Sequence, residues 1–369
     1  MLSIFIPQNT LEDIVIDNMP VDMEPEDQDV WYKIFIKQEV IYVSSWDETK
    51  YLTDEDPLFQ LSDSFGVEVR YETQYIEAIP DNHGLVTKYW NGIFLLDVSK
   101  EEAAEIQRDY GIICQSINNM DASILMDPDL RFSPKKKEKG YSWDFMLNKI
   151  NAEHIPSNHL IMIDRYLFTD SKEIENTLDN IFVILDAMLP LHALKQPYKI
   201  TFIIGKQEDG KDIGLSQVAH EVYDLIPSLK RPYLINVEIL FHTYLSGLYS
   251  SIHNRCILTN YTITQLEHMI NAFEDEESRC MQTILAQGLF SPNGLNGYCD
   301  SPHKTHHDVM TAIYNNLIWW VKNYLTTKSI YFFNGKEMKI NDIYKIKKKE
   351  GRDILCENNK KQHSYIKAR

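Results

Sequence analysis

The fold class follows from one nearly continuous apolar run, His159-Leu-Ile-Met-Ile-Asp-Arg-Tyr-Leu-Phe168. A run of this kind, without alternation of apolar and polar residues, is typical of a strand that is buried on both faces. Residues 199–205 and 234–241 repeat the pattern, and residues 251–259 are predicted as a fourth strand.

Helical periodicity fills the intervals between the first three of these strands. Apolar residues recur there three and four positions apart, as on one face of a helix. They are Ile174, Leu178, Ile181, Leu185 and Met188 in the first interval, and Leu215, Val218, Ala219, Val222 and Leu225 in the second. Alternation of strand and helix predicts an α/β fold in which helices cover a parallel sheet.

The first part of the chain is predicted as a separate domain, a mixed α/β unit over residues 1–130. Residues 30–37 and 39–44 are rich in β-forming side chains and predict a hairpin. A helix is predicted at residues 100–110. Ser99 precedes this stretch, and a glutamate follows Ser99 by three positions, which is the pattern of a capping box. No catalytic motif lies in this domain.

A basic linker is predicted at residues 131–150, where Pro, Gly and Lys are concentrated. Its lysines at 135–137 are either a nucleic-acid contact or part of a solvated loop. The second domain, 151–369, is expected to continue with helices at 264–286 and 305–325.

The second domain is predicted to close with a hairpin. Residues 329–333 form its first strand and residues 339–346 its second strand. The intervening Asn334-Gly335 suits the two positive φ angles of a tight turn.

Charge narrows the class of protein. The sequence has 37 Lys and Arg residues and 54 Asp and Glu residues, so the formal net charge is −17. A charge of this sign repels polyanions at long range. Residues 1–60 carry 14 acidic and three basic residues, a local −11, whereas residues 336–369 carry 11 basic and five acidic residues, a local +6. The basic end is either a nucleic-acid contact or a solvated tail.

Cysteine usage and apolar runs bear on location. The five cysteines are widely spaced and include no C-x-x-C pair, which argues against a disulfide framework and against a zinc ribbon. No apolar run approaches the roughly 18–20 residues that span a membrane, and the amino terminus lacks the features of a signal peptide. We therefore expect a cytoplasmic protein with no membrane partner.

One group of residues has the composition of a phosphate site. His253 and Arg255 are two positions apart, so on a strand they project from one face, and Asn260 follows five residues later. The cation suits the charged oxygens of a phosphate ester, and the imidazole can attack phosphorus or transfer a proton. The alternative is a buried strand whose His253 and Arg255 bind backbone carbonyl groups.

This pattern, His253-x-Arg255-x4-Asn260, resembles a degenerate form of the H-x-K-x4-D motif of the phospholipase D superfamily. Residues 160–167 are similar to the opening strand of phospholipase D-like domains in many bacterial proteins. The resemblance covers roughly residues 155–275. It implies that region 151–369 contains a phospholipase D-like parallel or mixed sheet with helices on both faces.

The resemblance also implies a metal-independent phosphodiesterase or nuclease. His253 would be the nucleophile that forms a phosphohistidine, Arg255 would hold the phosphate, and Asn260 would stand where an aspartate orients and charges the histidine. Arg keeps the charge of Lys in a wider planar group, whereas Asn cannot stabilise an imidazolium by charge. The family uses two motifs per active site and no metal, and this chain has one motif, so a homodimer is implied.

A charged pair, Asp164 and Arg165, interrupts the apolar run. A buried charge requires a partner or a cleft. The pair therefore either binds substrate beside His253 or lies at the strand end on the sheet edge.

A further group of candidate metal ligands comprises Cys299, His303, His306 and His307. The pattern C-x3-H-x2-H offers three zinc-type ligands without an evident fourth, so polar residues at a helix N-terminus are the alternative. We expect no metal and no other cofactor at the phosphate site.

Two functions from different classes remain. The first is a phosphodiesterase or nuclease-related protein that acts on or binds nucleic acid, for which the resemblance suggests a mobile-element or phage-defence setting. The second is a catalytically inactive interaction scaffold in which residues 1–130 bind a protein partner. The degenerate motif and the charge of −17 favour the scaffold, whereas His253, Arg255 and the basic residues of 336–369 favour the phosphodiesterase.

Overall fold

Two compact units, Met1–Ile124 and Leu125–Arg369, make up the chain. The computed structural model describes residues 2–19, 28–44, 56–89, 91–126, 129–132, 155–164, 166–168, 174–205, 214–242, 255–266, 284–290 and 330–339. Each unit combines a β-sheet with α-helices, so the predicted α/β class is confirmed.

The sheet of the first unit is fully parallel. Its strands are β1 (Ser3–Pro7), β2 (Val40–Ser44), β3 (Glu68–Tyr71), β4 (Gly92–Leu96) and β5 (Ile113–Ser116), in the order β3-β2-β1-β4-β5. The helices between residues 8 and 126 are α1 (Gln8–Asn18), α2 (Val30–Phe35), α3 (Pro57–Phe65), α4 (Thr73–Glu77), α5 (Lys100–Tyr110) and α6 (Ser123–Met126), with 3₁₀ helices at His83–Lys88 and Ile117–Asn119.

An aromatic layer forms the core on one face of this sheet. Phe5 of the central strand lies between Tyr42 and Phe94 on the neighbouring strands, with ring centroids 4.9 and 4.7 Å away and nearly parallel planes. Helices α4 and α5 pack on this layer. Ile4 and Ile6 point to the opposite face and are also fully buried, so both faces of the parallel sheet are covered, as such sheets require.

The hairpin predicted over residues 30–44 is wrong in its first half, where α2 forms instead of a strand. The Asp29 side chain caps this helix by accepting a 2.6 Å hydrogen bond from the Trp31 N–H. Trp31, Ile34 and Phe35 are buried at helical spacing. Bulky side chains at these positions satisfy both periodicities over so short a stretch, and the cap together with packing decides in favour of the helix.

The helix predicted at residues 100–110 is confirmed as α5. Ser99 Oγ accepts a hydrogen bond of 3.1 Å from the backbone N–H of Glu102. At the other end Gly111 adopts a left-handed conformation with φ of 60°, which ends the helix.

In the described part of the chain, the sheet of the second unit has nine strands and is mixed. They are β6 (Asp129–Phe132), β7 (His159–Asp164), β8 (Tyr198–Gly205), β9 (Ile235–His242), β10 (Arg255–Thr259), β11 (Thr262–Leu266), β12 (Ile284–Gly288), β13 (Ile330–Phe333) and β14 (Lys336–Glu337). Their order is β14-β13-β9-β8-β7-β10-β11-β12-β6. The three strands β7, β8 and β9 are parallel as predicted, and the other pairings are antiparallel.

The described helices of the second unit are α7 (Ile174–Met188) and α8 (Leu215–Leu225), followed by a 3₁₀ helix at Ile226–Leu229. Both α7 and α8 pack on the sheet face that carries Leu160, Phe202 and Ile239. The opposite face also has fully buried side chains, such as Ile203. The resemblance implied helices on both faces, and the helices described in this unit lie on one face.

The boundary between the units differs from the predicted one at residue 130. Strand β6 pairs with β12, so it belongs to the sheet of the second unit, and Leu125 O accepts a hydrogen bond of 2.9 Å from Phe290 N. Arg131, predicted as the first linker residue, lies within β6. Linker residues 133–150 fall outside the described part of the chain.

The helix predicted at 264–286 is wrong at both of its ends, which belong to strands β11 and β12. All five side chains of β11 are buried, including Thr262 and Thr264. β-branched residues favour a strand between two others, and pairing across the sheet overrides the helical spacing. The remainder of this predicted helix, and the one at 305–325, lie outside the described residues.

The predicted hairpin at Asn334-Gly335 is confirmed, with φ angles of 47° and 76°. Its second strand begins at Lys336 rather than at residue 339, because a two-residue turn places Lys336 opposite Phe333. The Asn334 side chain also accepts a hydrogen bond of 2.8 Å from Val237 N, which ties the turn to β9.

Within the described residues, none of the helices combines the length and the apolar character that a membrane span requires.

Replacing Ser99 tests the contribution of the α5 cap. Ser99→Ala removes the acceptor for the Glu102 N–H and should lower the free energy of unfolding by about 1 kcal/mol, measured by urea denaturation. Ser99→Asp keeps an acceptor and places a negative charge at the positive end of the helix, so it should retain wild-type stability. Equal losses in the two variants would contradict the assigned cap.

Candidate functional site

A ligand site is expected at the carboxyl edge of the parallel strands β7, β8 and β9, because ligands bind outside the carboxyl ends of such strands. Asp164 is the last residue of β7, and it is 1% exposed. Its Oδ1 accepts a hydrogen bond of 2.8 Å from the backbone N–H of Tyr166. This bond between a carboxylate and the N–H two residues later holds the chain in a turn as it leaves the strand.

Arg255 reaches the same edge from another strand. β10 runs antiparallel to β7 with Cys256 opposite Ile163, so the first residue of β10 lies beside the last residue of β7. Arg255 Nε lies 3.9 Å from Asp164 Oδ1, an ion-pair distance, and the guanidinium carbon lies 4.9 Å from the centroid of the Tyr166 ring. We call Asp164, Tyr166 and Arg255 the edge cluster.

The edge cluster contains one cation, the Arg255 guanidinium, which is positioned by its two neighbours. Burying a carboxylate costs several kcal/mol unless an opposite charge offsets the loss of water, so Arg255 stabilises the negative charge of Asp164. The Arg255 side chain is itself 21% exposed. A planar guanidinium matches the geometry of phosphate oxygens, and the cation–π contact with Tyr166 further limits its orientation.

Cys256 follows Arg255 in β10 and points to the opposite face of the sheet. Its side chain is buried, and burial raises the pKa of the thiol well above its usual range, with the negative charge of Asp164 adding to the effect. Because the thiolate is the reactive form of cysteine, the buried thiol of Cys256 suits a packed position in the core.

Asn260 lies at the other end of β10 from Arg255. Five steps along a strand correspond to roughly 16 Å. Its side chain is 0% exposed, and its Oδ1 accepts hydrogen bonds from the backbone N–H groups of Asn158 and His159, at 3.0 and 3.1 Å. Its Nδ2 donates to the side-chain Oδ1 of Asn158 at 2.8 Å. Asn260 therefore joins the turn after β10 to the beginning of β7.

The structure thus brings two of the predicted site residues together and separates a third. Asp164 and Arg255 both belong to the edge cluster, whereas Asn260 lies in the turn after β10, at the other end of that strand. Asn260 has a role in strand pairing through its side-chain hydrogen bonds, and its expected role beside His253 stays a prediction. His253 and Arg165 lie outside the described residues.

Tyr166 and Asn158 were not predicted from the sequence as residues of interest. Tyr166 lies in the quoted apolar run, and its distance of two residues from Asp164 is the available signal, because that spacing suits a turn in which a carboxylate binds a backbone N–H. The pairing of Asn158 with Asn260 joins residues 102 positions apart, and no local pattern predicts it.

A second polar network lies on the opposite face of the same sheet. His159 Nε2 is 3.0 Å from Thr201 Oγ1, and Thr201 Oγ1 donates to Glu238 Oε2 at 3.3 Å. Lys199 Nζ lies 2.8 Å from Glu238 Oε1, and Glu238 is fully buried. The ion pair offsets the burial of the Glu238 charge, so we assign this network to stabilisation of strands β7, β8 and β9.

Metal binding has no candidate in the described part of the chain, where no group of three or more His, Cys, Asp and Glu side chains could hold an ion. The predicted ligands Cys299, His303, His306 and His307 lie outside the described residues.

No protein-family model matches this sequence, and a comparison with curated proteins finds no match. The likeness to the phospholipase D superfamily therefore rests on the residues of this chain alone.

Replacing Asn260 tests its structural role. Asn260→Ala leaves two buried N–H groups and the Asn158 amide without these partners, and each unsatisfied buried group costs about 1–3 kcal/mol. We expect the free energy of unfolding to fall by about 3 kcal/mol in urea denaturation. Asn260→Asp retains the acceptor for both N–H groups and can accept from a rotated Asn158 amide, so it should be the more stable variant. An Asn260→Ala protein as stable as wild type would contradict this assignment.

Proposed function

We propose that the second unit is a phosphodiester-directed domain, a metal-independent phosphodiesterase or nuclease-related protein that acts on nucleic acid. The observation that carries the proposal is the position of Arg255. It is a partly exposed cation at the carboxyl edge of a parallel sheet, held there by Asp164 and Tyr166. His253 is two residues away in the sequence, a spacing that suits a histidine and a cation acting on one phosphate.

The proposed reaction proceeds in two displacements. A ring nitrogen of His253 attacks phosphorus and forms an N–P bond, while the bond from phosphorus to the leaving oxygen breaks and that oxygen takes a proton from water. A second water then attacks phosphorus and gives up a proton, which neutralises the hydroxide left by the first step, while the N–P bond breaks and the free histidine and a phosphate monoester result. Arg255 stabilises the negative charge on the phosphate oxygens through both steps.

Asp164 has a positioning role in this proposal. Its carboxylate is bound by the Tyr166 N–H on one side and paired with Arg255 on the other, so it sets where the cation lies. The buried position of Asn260 means that its amide serves the fold, and we assign it no part in the chemistry.

The oligomeric state, the biological setting and the cellular location are parts of the same proposal. One motif per chain is consistent with a homodimer in which two copies of His253 face one substrate, by resemblance to the superfamily. The mobile-element or phage-defence setting and a cytoplasmic location likewise rest on the resemblance and the composition.

The second candidate function is an interaction scaffold without catalysis. The pairing of Arg255 with a buried carboxylate favours it, because such a pair also stabilises a fold. In the first unit, Ile16, Phe59 and Phe65 are exposed on α1 and α3, and apolar side chains on an acidic surface suit a protein partner.

A cleavage assay in EDTA tests the proposed activity. We expect cleavage of single-stranded or double-stranded DNA or RNA, or of a generic phosphodiester, by the wild-type protein and none by His253→Ala. Arg255→Ala should lower the rate about 100-fold or more, as the loss of a donor to a developing charge does. Arg255→Lys should retain part of the activity, because the charge remains.

The control is Arg108→Ala, which removes an exposed arginine of the first unit and should leave cleavage unchanged. Light scattering of the same samples reports whether the protein is a dimer. Absence of cleavage on every substrate by a folded wild-type protein would contradict the proposed activity and favour the scaffold.

A further inference from the structure

Tyr166 is an exposed aromatic side chain in a place where a ligand is proposed to bind. Its surface is 43% exposed, although the Arg255 guanidinium lies 4.9 Å from its ring centroid. Its backbone is held by the hydrogen bond to Asp164. The ring is therefore accessible and lies directly beside the cation.

A ring beside a cation is the combination that binds a nucleotide of a single strand. Successive bases of single strands stack on aromatic side chains while basic groups contact the backbone, and arginine adds a cation–π contribution. In a duplex the bases are stacked inside and are not offered to a side chain at the surface, whereas unpaired bases can be splayed out.

We infer that Tyr166 is a stacking platform for an unpaired base, and that the second unit prefers single-stranded nucleic acid. The base lies on the Tyr166 ring while a neighbouring phosphate contacts Arg255. This inference rests on the proposed function, because Arg255 is assigned to the phosphate there. The acidic net charge of −17 makes base stacking the more important, since the protein as a whole repels the phosphate backbone at long range.

Binding measurements with three probes separate the contribution of the base from that of the phosphate. The probes are a 12-nucleotide thymidine strand, a strand of the same length with abasic sites throughout, and a 12-base-pair duplex. All proteins carry His253→Ala, so that no probe is cleaved, and fluorescence anisotropy is measured at low salt. Tyr166→Ala is compared with Tyr166→Phe, which keeps the ring, and with Leu234→Ala, which removes a 75% exposed apolar side chain elsewhere in the unit.

We expect the thymidine strand to bind more tightly than the duplex. Tyr166→Ala should weaken binding of the thymidine strand by roughly 5- to 150-fold, the range found for loss of one stacked base. It should weaken binding of the abasic strand much less, because only the contact of the ring with Arg255 is lost there. Tyr166→Phe and Leu234→Ala should bind as the parent does. Arg255→Ala should weaken binding of all three probes.

Three results would overturn the inference. If Tyr166→Ala weakens the thymidine and abasic strands equally, the ring acts only by holding Arg255. If Tyr166→Ala has no effect while Arg255→Ala does, the ring makes no contact and the proposed phosphate site stands without it. If the folded parent protein binds no probe, the proposed nucleic-acid function fails together with the inference.

Discussion

The hydrogen bonds of Asn260 are the constraint on which the arrangement of the second unit depends. They tie the turn after β10 to the first residues of β7, and so they set the register in which these antiparallel strands pair. A shift of one residue would send every side chain of β10 to the other face of the sheet. In the observed register Cys256 is opposite Ile163, and Arg255 consequently lies beside Asp164.

The edge cluster follows from that register, and it places a cation at the surface of an acidic protein. The protein as a whole carries a net charge of −17, yet this edge holds an arginine that is paired and partly exposed. The buried carboxylate of Asp164 fixes the cation by attraction, and it adds to the rise in the pKa of the neighbouring Cys256 thiol that burial causes. A charge that stabilises the fold can serve a ligand as well, because the geometry that satisfies Asp164 also orients the guanidinium.

Elements with a complete local signal were predictable from the sequence. The helix α5 has its cap at Ser99 and its stop at Gly111, and the apolar spacing of α7 is sustained for 15 residues. Short elements were not predictable in this way. Val30–Phe35 fits either periodicity, and Thr262–Leu266 becomes a strand because β10 and β12 flank it. In both cases tertiary packing outweighs an ambiguous local pattern.

The sequence by itself determined the α/β class, the three parallel strands and the choice of Asp164 and Arg255 as candidate site residues. Apolar periodicity, a charge within an apolar run and the spacing of Arg255 from His253 are local properties of the chain. Only the tertiary structure decided that Asp164 and Arg255 meet, that Tyr166 joins them, and that Asn260 lies at the far end of the strand. Those relations depend on which strands pair and in which register, and hydrogen bonds between residues about a hundred positions apart leave no trace in local patterns.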